Sequence, residues 1–366
     1  MPTLLRDRPG GGGAIEAPPR EPLAFHRALD GYQPTPLVGL PELASELGVR
    51  HLDVKLEIDR LGLPSFKVMG AAWGTIEALR DVLPPSWTPD QGLGGLAGAL
   101  PALTLVAATE GNHGRAVARI AGLLGLRARI LVPDDVADAR VAPIVAEGAE
   151  VVRVAGSYDD AVARSAAEAQ GDGRVLVSDT SWPGYERVPA AVVDGYSTIL
   201  WEVEEQLAAS GRGLPDLVLV QLGVGSFGAA VIRHVRQPGP QAPRIVGVEP
   251  EQAACVLASL AADRRLTIPG PHHTVMAGLN CGTPSLVAWP LLREGLDGVV
   301  ALDDDAALEG VRTLAEHGVA VGECSGVAVA AARELLTGPQ AASHRERLGL
   351  WSESSVLLFA TEGVTS

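Results

Sequence analysis

Aromatic residues are scarce in this 366-residue chain, at 4% of the total. Platforms that stack sugar rings or single-stranded bases depend on such side chains, so neither function is expected. Positive charge is also short: 29 Lys and Arg stand against 44 Asp and Glu, for a net charge of −15. A surface that binds a polyanion needs the opposite balance, which argues against nucleic acid as a partner. An acidic chain does not repel a cationic substrate. The three cysteines, Cys255, Cys281 and Cys324, are far apart and show no ligand-like spacing. Neither a disulfide framework nor a zinc site follows, and small buried thiols are the expected reading. No apolar run is long enough to cross a membrane. The amino terminus has the glycines Gly10 to Gly13 and the pair Pro18-Pro19, without the apolar stretch of a secretory signal. Residues 1–20 therefore read as a disordered leader, and the compartment as the cytoplasm.

What the chain does have is apolar mass, 47% of its residues, enough for a sizeable core. Its length suggests about two domains. Short β-branched runs alternate with Ala- and Leu-rich stretches. Strands are expected at Leu103 to Ala107, Arg129 to Val132, Val151 to Val154, Val175 to Val177, Leu217 to Leu222, Ile245 to Val248 and Val356 to Ala360. Helices are expected at Asn112 to Leu124 and Ala137 to Glu147. Strands separated by helices imply right-handed crossovers and parallel sheets covered on both faces. The class is α/β. A block over residues 68–187 holds the first set of these units, and residues 1–67 with 188–366 form a larger one. The Pro- and Gly-rich piece from Pro84 to Pro101 reads as an exposed loop.

Three segments carry chemistry. Gly223-Val224-Gly225-Ser226-Phe227-Gly228 follows the apolar run Leu217 to Leu222, and its glycines let backbone N–H groups approach a phosphate at a helix start. Glu249 ends the next strand about 20 residues on, as in a dinucleotide site. The motif alone does not say whether the phosphate belongs to NAD or to something smaller, and a plain tight turn is the bland alternative. Thr109-Glu110-Gly111-Asn112-His113-Gly114 crowds polar groups into one strand-to-helix turn, where α/β proteins place ligands and backbone N–H groups can hold a carboxylate. Asn112 as a helix cap and His113 as a solvated side chain are the bland readings there. Ser65-Phe66-Lys67 places a lysine at the start of an apolar helix, against the macrodipole. Small apolar surroundings lower an amine's pKa and suit it to Schiff-base chemistry.

Together these segments resemble the fold-type-II pyridoxal-phosphate enzymes, the tryptophan synthase β and threonine dehydratase group. Further stretches sharpen the resemblance to the diaminopropionate ammonia-lyase family. They are Phe25-His26-Arg27, Tyr32-Gln33-Pro34-Thr35-Pro36-Leu37, Ser178-Asp179-Thr180-Ser181-Trp182, Gly184-Tyr185 and Gly195-Tyr196. Val248-Glu249-Pro250, the run from Met276 to Gly282, Gly322-Glu323 with Ser325-Gly326, and Thr361-Glu362-Gly363 belong to the same set. The resemblance covers nearly the whole chain in the family's order.

It implies two doubly wound parallel-sheet domains with pyridoxal 5'-phosphate between them, and a homodimer acting on a small amino acid. It implies that Lys67 carries the cofactor beside Phe66 and that Asn112 bonds its phenolic oxygen. Gly223, Val224, Gly225, Ser226, Phe227 and Gly228 then hold its phosphate, and Thr361 faces its ring nitrogen, which a hydroxyl leaves largely unprotonated. Thr109, Gly111 and His113 line the substrate. The implied reaction is α,β-elimination of ammonia from 2,3-diaminopropionate or a close analogue, giving pyruvate by way of aminoacrylate. In the family two carboxylates serve the two α-configurations. Asp179 matches the one for the L-substrate, and Glu110 stands where the family has Asp. One extra methylene moves that carboxylate by about an ångström, a displacement that can cost about a hundredfold. Ala71 and Val364 also depart from the pattern, replacing a glycine and an aspartate. On this reading the loop at Gly223 is a phosphate cup, and its dinucleotide look is coincidental. A serine or threonine dehydratase is the nearest alternative. An NAD-dependent oxidoreductase, resting on the glycine loop and Glu249, is a more distant one, and a non-catalytic relative a third.

Overall fold

A computed structural model describes residues 2–6, 15–237 and 242–364. Its strands are β1 (Thr3–Leu5), β2 (Leu37–Gly39), β3 (His51–Leu56), β4 (Thr104–Ala108), β5 (Arg127–Pro133) and β6 (Glu150–Val154). They continue as β7 (Arg174–Leu176), β8 (Leu217–Gln221), β9 (Arg244–Pro250), β10 (Gly298–Leu302) and β11 (Ser355–Ala360). Two compact units contain them.

The larger unit comprises described residues of Met1–Pro18, Pro34–Asp59 and Ile199–Thr365. Its seven-stranded sheet has the order β1-β10-β9-β8-β11-β3-β2. The central five strands are parallel, and β1 and β2 close the edges in antiparallel fashion. Every residue of β8 and β10 is buried, which explains their unbroken apolar runs: a strand covered on both faces has no polar side to alternate with. Leu219, Val246, Val300 and Leu358 share one core with Val327, Ala331 and Leu335 of the helix Glu323–Leu336. That helix meets the helix Asp304–Glu316 backbone to backbone. A Cβ on Gly310 would lie 2.0 Å from the Gly326 carbonyl oxygen.

The smaller unit comprises Pro19–Gln33 and Arg60–Thr198. Its four strands run in the order β6-β5-β4-β7, all parallel. The helix Lys67–Ala78 seats on the start of the helix Arg187–Ala209 through glycines. A Cβ on Gly195 would lie 2.6 Å from the Met69 carbonyl oxygen and 2.9 Å from the Gly70 Cα. His26 locks the same place: its buried ring donates from Nε2 to the Met69 carbonyl at 2.9 Å and accepts from the Thr198 hydroxyl at 2.7 Å.

The α/β class and the parallel sheets are as the alternation implies. The division differs from the expected one, because residues 19–33 and 188–198 pack on the helix that Lys67 begins, and 60–67 lead into it. Lys67 therefore belongs to the smaller unit. Two local expectations also change. Part of the expected leader is ordered: Thr3–Leu5 pair with β10, and Arg233 donates to the Ala17 carbonyl at 3.3 Å. Gly10 to Gly13 lie outside the described residues. The segment from Pro84 to Pro101 is irregular but not simply exposed, since Leu96 is buried and Trp87 lies edge-on to Phe25. Four strands were not expected from the sequence: β1 and β2, of three residues each, and the longer β3 and β10.

The helix crossing yields a prediction. Gly195→Ala forces backbone against backbone, and overpacking of this kind costs about 1–3 kcal/mol. Chemical denaturation is expected to show a loss of that size, whereas Gly211→Ala, in the open, would show the smaller cost of its left-handed backbone alone.

Candidate active site

The chain contains two lysines, Lys55 and Lys67, and the structure separates their roles. Lys55 is fully buried in the larger unit. Its ammonium donates to the Thr35 carbonyl at 2.6 Å, to Glu202 Oε2 at 2.7 Å and to Gln206 Oε1 at 3.1 Å. Three donors meet three acceptors, which leaves this lysine nothing for chemistry. Lys67 keeps 18% of its side chain accessible. It is the first residue of its helix, where the positive end of the macrodipole disfavours an ammonium, and its Nζ lies 5.5 Å from the Phe66 ring centre.

Asp179 supplies the opposing charge. It follows β7, its side chain is 7% accessible, and its Oδ2 accepts from Lys67 Nζ at 2.7 Å. The Tyr158 hydroxyl donates to Oδ1 at 3.2 Å. Burial works against the carboxylate, but the Lys67 ammonium, His113 and the Tyr158 hydroxyl together hold its pKa far below the ordinary range. Tyr185 fixes the approach to Asp179: its hydroxyl accepts from the Ser178 N–H at 3.2 Å and donates to the Leu176 carbonyl at 2.9 Å.

The turn after β4 lies beside this group, because β4 and β7 are adjacent parallel strands. Here His113 is not the solvated side chain of the bland reading. It is buried, and its Nε2–H donates to the Val177 carbonyl at 2.9 Å. Its Nδ1 lies 4.0 Å from Asp179 Oδ2. Burial lowers its pKa, against the pull of the neighbouring Asp179 carboxylate. Gly111 is the cap of the helix Asn112–Leu123, so Asn112 opens the helix as its first residue and does not cap it. A Cβ on Gly114 would lie 2.3 Å from Thr109 Cγ2, which is why the turn needs glycine there. Thr109 Oγ1 accepts from the Gly111 N–H at 2.9 Å, and Glu110 is half-buried on the same turn.

In the larger unit, Gly223 to Gly228 run from the end of β8 into the helix Ser226–Val235. Gly225 has φ +91°, a left-handed backbone that suits glycine. A Cβ on Gly223 would lie 3.0 Å from the Gly278 carbonyl oxygen, and one on Gly228 would lie 2.5 Å from Leu222. The loop thus offers bare backbone at the positive end of a helix, the chemistry of a phosphate cup. Val224 and Phe227 are buried around it. Thr361 follows β11, the parallel neighbour of β8. Its hydroxyl is buried with no hydrogen-bond partner among the described residues, so a ligand polar atom is suited to meet it. Val364, at 66% exposure, lies on the surface.

Glu249 does not behave as a ribose ligand. It is fully buried, and its two carboxylate oxygens accept from the Val256 and Leu257 N–H groups at 2.8 Å each. It caps the next helix, which leaves the oxidoreductase alternative without its acidic partner. Burial raises its pKa to about 8, against the opposing pull of those two N–H bonds. Cys255, Cys281 and Cys324 are buried thiols outside any disulfide, as expected. Among the described residues no group of His, Cys, Asp or Glu is placed to hold a metal, and no helix is long and apolar enough to cross a membrane.

Sequence reasoning missed Tyr158 and gave Tyr196 no role. Neither has a spacing that ties it to Asp179 or Lys67. The scarcity of lysine was a usable signal, since it leaves two candidates for any aldehyde-binding amine.

The model for the pyridoxal-phosphate dependent enzyme family matches residues 28–345. The diaminopropionate ammonia-lyase of Salmonella typhimurium is 35% identical over 94% of this chain and 89% of that protein. The crystal structure of the Escherichia coli diaminopropionate ammonia lyase in complex with an aminoacrylate-PLP azomethine reaction intermediate superposes with TM-score 0.89. It is 31% identical, covering 100% of this chain and 94% of that one. The same enzyme in complex with D-serine gives TM-score 0.91 at 31% identity and the same coverage.

The raised pKa of Glu249 predicts a pH dependence. In the unfolded chain its carboxyl ionises near 4.5, and in the folded chain near 8. The folded state therefore holds an extra proton between these values, so stability is full below the lower one and is lost as pH rises through the upper one. In thermal melts at several pH values, Glu249→Gln is expected to lose less stability than the wild type between pH 5 and 8. Parallel curves would contradict the assignment.

Proposed function

This chain belongs to the pyridoxal-phosphate-dependent enzymes, in the diaminopropionate ammonia-lyase family, and we propose that Lys67 and Asp179 are its working pair. The reaction is elimination of ammonia from 2,3-diaminopropionate or a close analogue, leaving pyruvate. The observation that carries the residue assignment is the contact of 2.7 Å between Asp179 and the one lysine not sealed into the fold.

The residues present fit pyridoxal 5'-phosphate. The backbone of Gly223, Val224, Gly225, Ser226, Phe227 and Gly228 suits its phosphate, the Thr361 hydroxyl its ring nitrogen, the Asn112 amide its phenolic oxygen and the Lys67 amine its aldehyde. When bound, this cofactor draws electron density from the α-carbon of an amino acid. The protein's own part is to bind, orient and move protons. Thr109, Gly111 and the start of the helix Asn112–Leu123 are suited to the substrate carboxylate, and His113 steadies the wall behind it from its bond to Val177. Asp179 is held ionised by Lys67 while that amine carries charge. Once the amine is engaged elsewhere, the carboxylate keeps its burial and loses its cation, which raises its basicity. It then takes the α-proton of the L-substrate at Oδ2. Glu110 is assigned the same role toward the D-substrate. A homodimer working in the cytoplasm belongs to the same reading, supported by the family resemblance and by the acidic balance of the chain.

Pyruvate release from L-2,3-diaminopropionate, its D-isomer, L-serine and L-threonine tests the substrate. L-2,3-diaminopropionate is expected to turn over fastest, and faster turnover of the hydroxy amino acids would make the enzyme a dehydratase. Asp179→Asn is expected to lower L-substrate turnover by about 10²–10⁴-fold, the usual worth of a general base. Undiminished turnover would remove Asp179 from the reaction.

A further inference from the structure

The Lys67 amine has two surroundings so far described, the Asp179 carboxylate and the Phe66 ring. A third group lies on the same face of its helix. Residues three apart stack on one side of an α-helix, so Gly70 stands directly along the helix from Lys67. The space where a Gly70 Cβ would be is filled by the phenol end of Tyr196, whose Cε1 and Cζ lie 2.4 and 2.6 Å from that position. The ring is fully buried and packs on Phe66 at 4.8 Å between centres. Glycine in a helix interior costs stability relative to alanine, and here it admits the tyrosine. The hydroxyl at the end of that ring is buried too, within electrostatic reach of the Lys67 amine.

We propose that Tyr196 is a positioning residue for Lys67, its phenol oxygen accepting one N–H of the amine while Asp179 accepts another. The inference rests on Lys67 being the cofactor lysine. A neutral amine has two N–H groups and one lone pair. Two fixed acceptors on the N–H groups leave the lone pair aimed in a single direction, as attack on an aldehyde requires. Burial pushes the Tyr196 phenol well above its ordinary pKa, against the pull of the nearby Lys67 charge, so the hydroxyl stays protonated and does not compete with Asp179 for the positive charge. The same two acceptors receive the amine each time it is released at the end of a turnover.

The test is Tyr196→Phe, which removes one oxygen and keeps the packed ring. An ammonium has three N–H groups to satisfy and a neutral amine two. Loss of an acceptor therefore penalises the charged form more and lowers the pKa of Lys67. A hydrogen bond to a charged group corresponds to about one pH unit. With the cofactor removed from the full-length protein, trace acetic anhydride labels Lys67 as its neutral amine, and peptide mass spectrometry reads the pH midpoint. Lys55, sealed in the fold, is expected to stay unlabelled, and a free amine added to the reaction serves as the reference. The midpoint is expected to fall by about one unit in Tyr196→Phe. In the loaded enzyme kcat is expected to drop about tenfold with KM within about twofold, the mark of lost orientation rather than lost binding. Gly70→Ala, which keeps the phenol but pushes its ring away, is expected to move the midpoint the same way. An unchanged or raised midpoint in Tyr196→Phe, with thermal stability kept, would overturn the proposal while leaving Lys67 as the cofactor lysine. Covalent cofactor found elsewhere than on Lys67 would instead remove the reading beneath it.

Discussion

The contact between Lys67 and Asp179 is the constraint around which the smaller unit is arranged. Two opposite charges, both largely out of water, hold each other ionised only while they stay together. Each is delivered by a separate device. Lys67 stands at the start of a helix whose glycines let it lie against the helix of Gly195 and Tyr196. Asp179 stands beyond the end of β7, where the Tyr185 hydroxyl ties the peptides on either side of Val177. On the proposed reading the pair is a switch in charge: engaging the amine elsewhere releases a buried carboxylate to act as a base. A surface ion pair would not do this, because water would replace the lost partner.

The other lysine shows what the arrangement would be without function. Lys55 has as many acceptors as it has N–H groups, and the fold closes over it. Lys67 has an unfavourable helix end and residual access. The contrast between a lysine sealed behind three acceptors and one left accessible is a physical reason to propose Lys67 as the cofactor lysine. Glu249 and Thr361 form a similar contrast. Both are buried, but Glu249 spends its two oxygens on backbone N–H groups, while the Thr361 hydroxyl meets no hydrogen-bond partner among the described residues.

Much of this was legible before any coordinates. Most parallel strands announced themselves as apolar runs, and β4, β5, β8, β9 and β11 fall within about two residues of their expected places, whereas β3 and β10 were not expected. The glycine loop, the polar turn after β4 and the Ser65-Phe66-Lys67 step could be read from local chemistry and from family resemblance. What stayed hidden depends on long-range packing. Nothing near Tyr196 in sequence says that its ring fills the space above Gly70. Nothing in Gly111-Asn112-His113 says that the imidazole turns inward to Val177. The division between the units was likewise set by the seating of one helix on another, which no composition shift records. Spacing alone left the role of Glu249 open: its position suits a ribose, the family resemblance made that look coincidental, and its burial against two backbone N–H groups suits a helix cap.

The central claim is that Lys67 holds pyridoxal phosphate, and the chain's two lysines make it simple to test. Borohydride reduction of the purified, cofactor-loaded protein, followed by proteolysis and peptide mass mapping, locates the fixed cofactor. The account predicts the reduced pyridoxyl mass on the peptide containing Lys67 and none on the peptide containing Lys55. The mass on Lys55, or on neither, would contradict it.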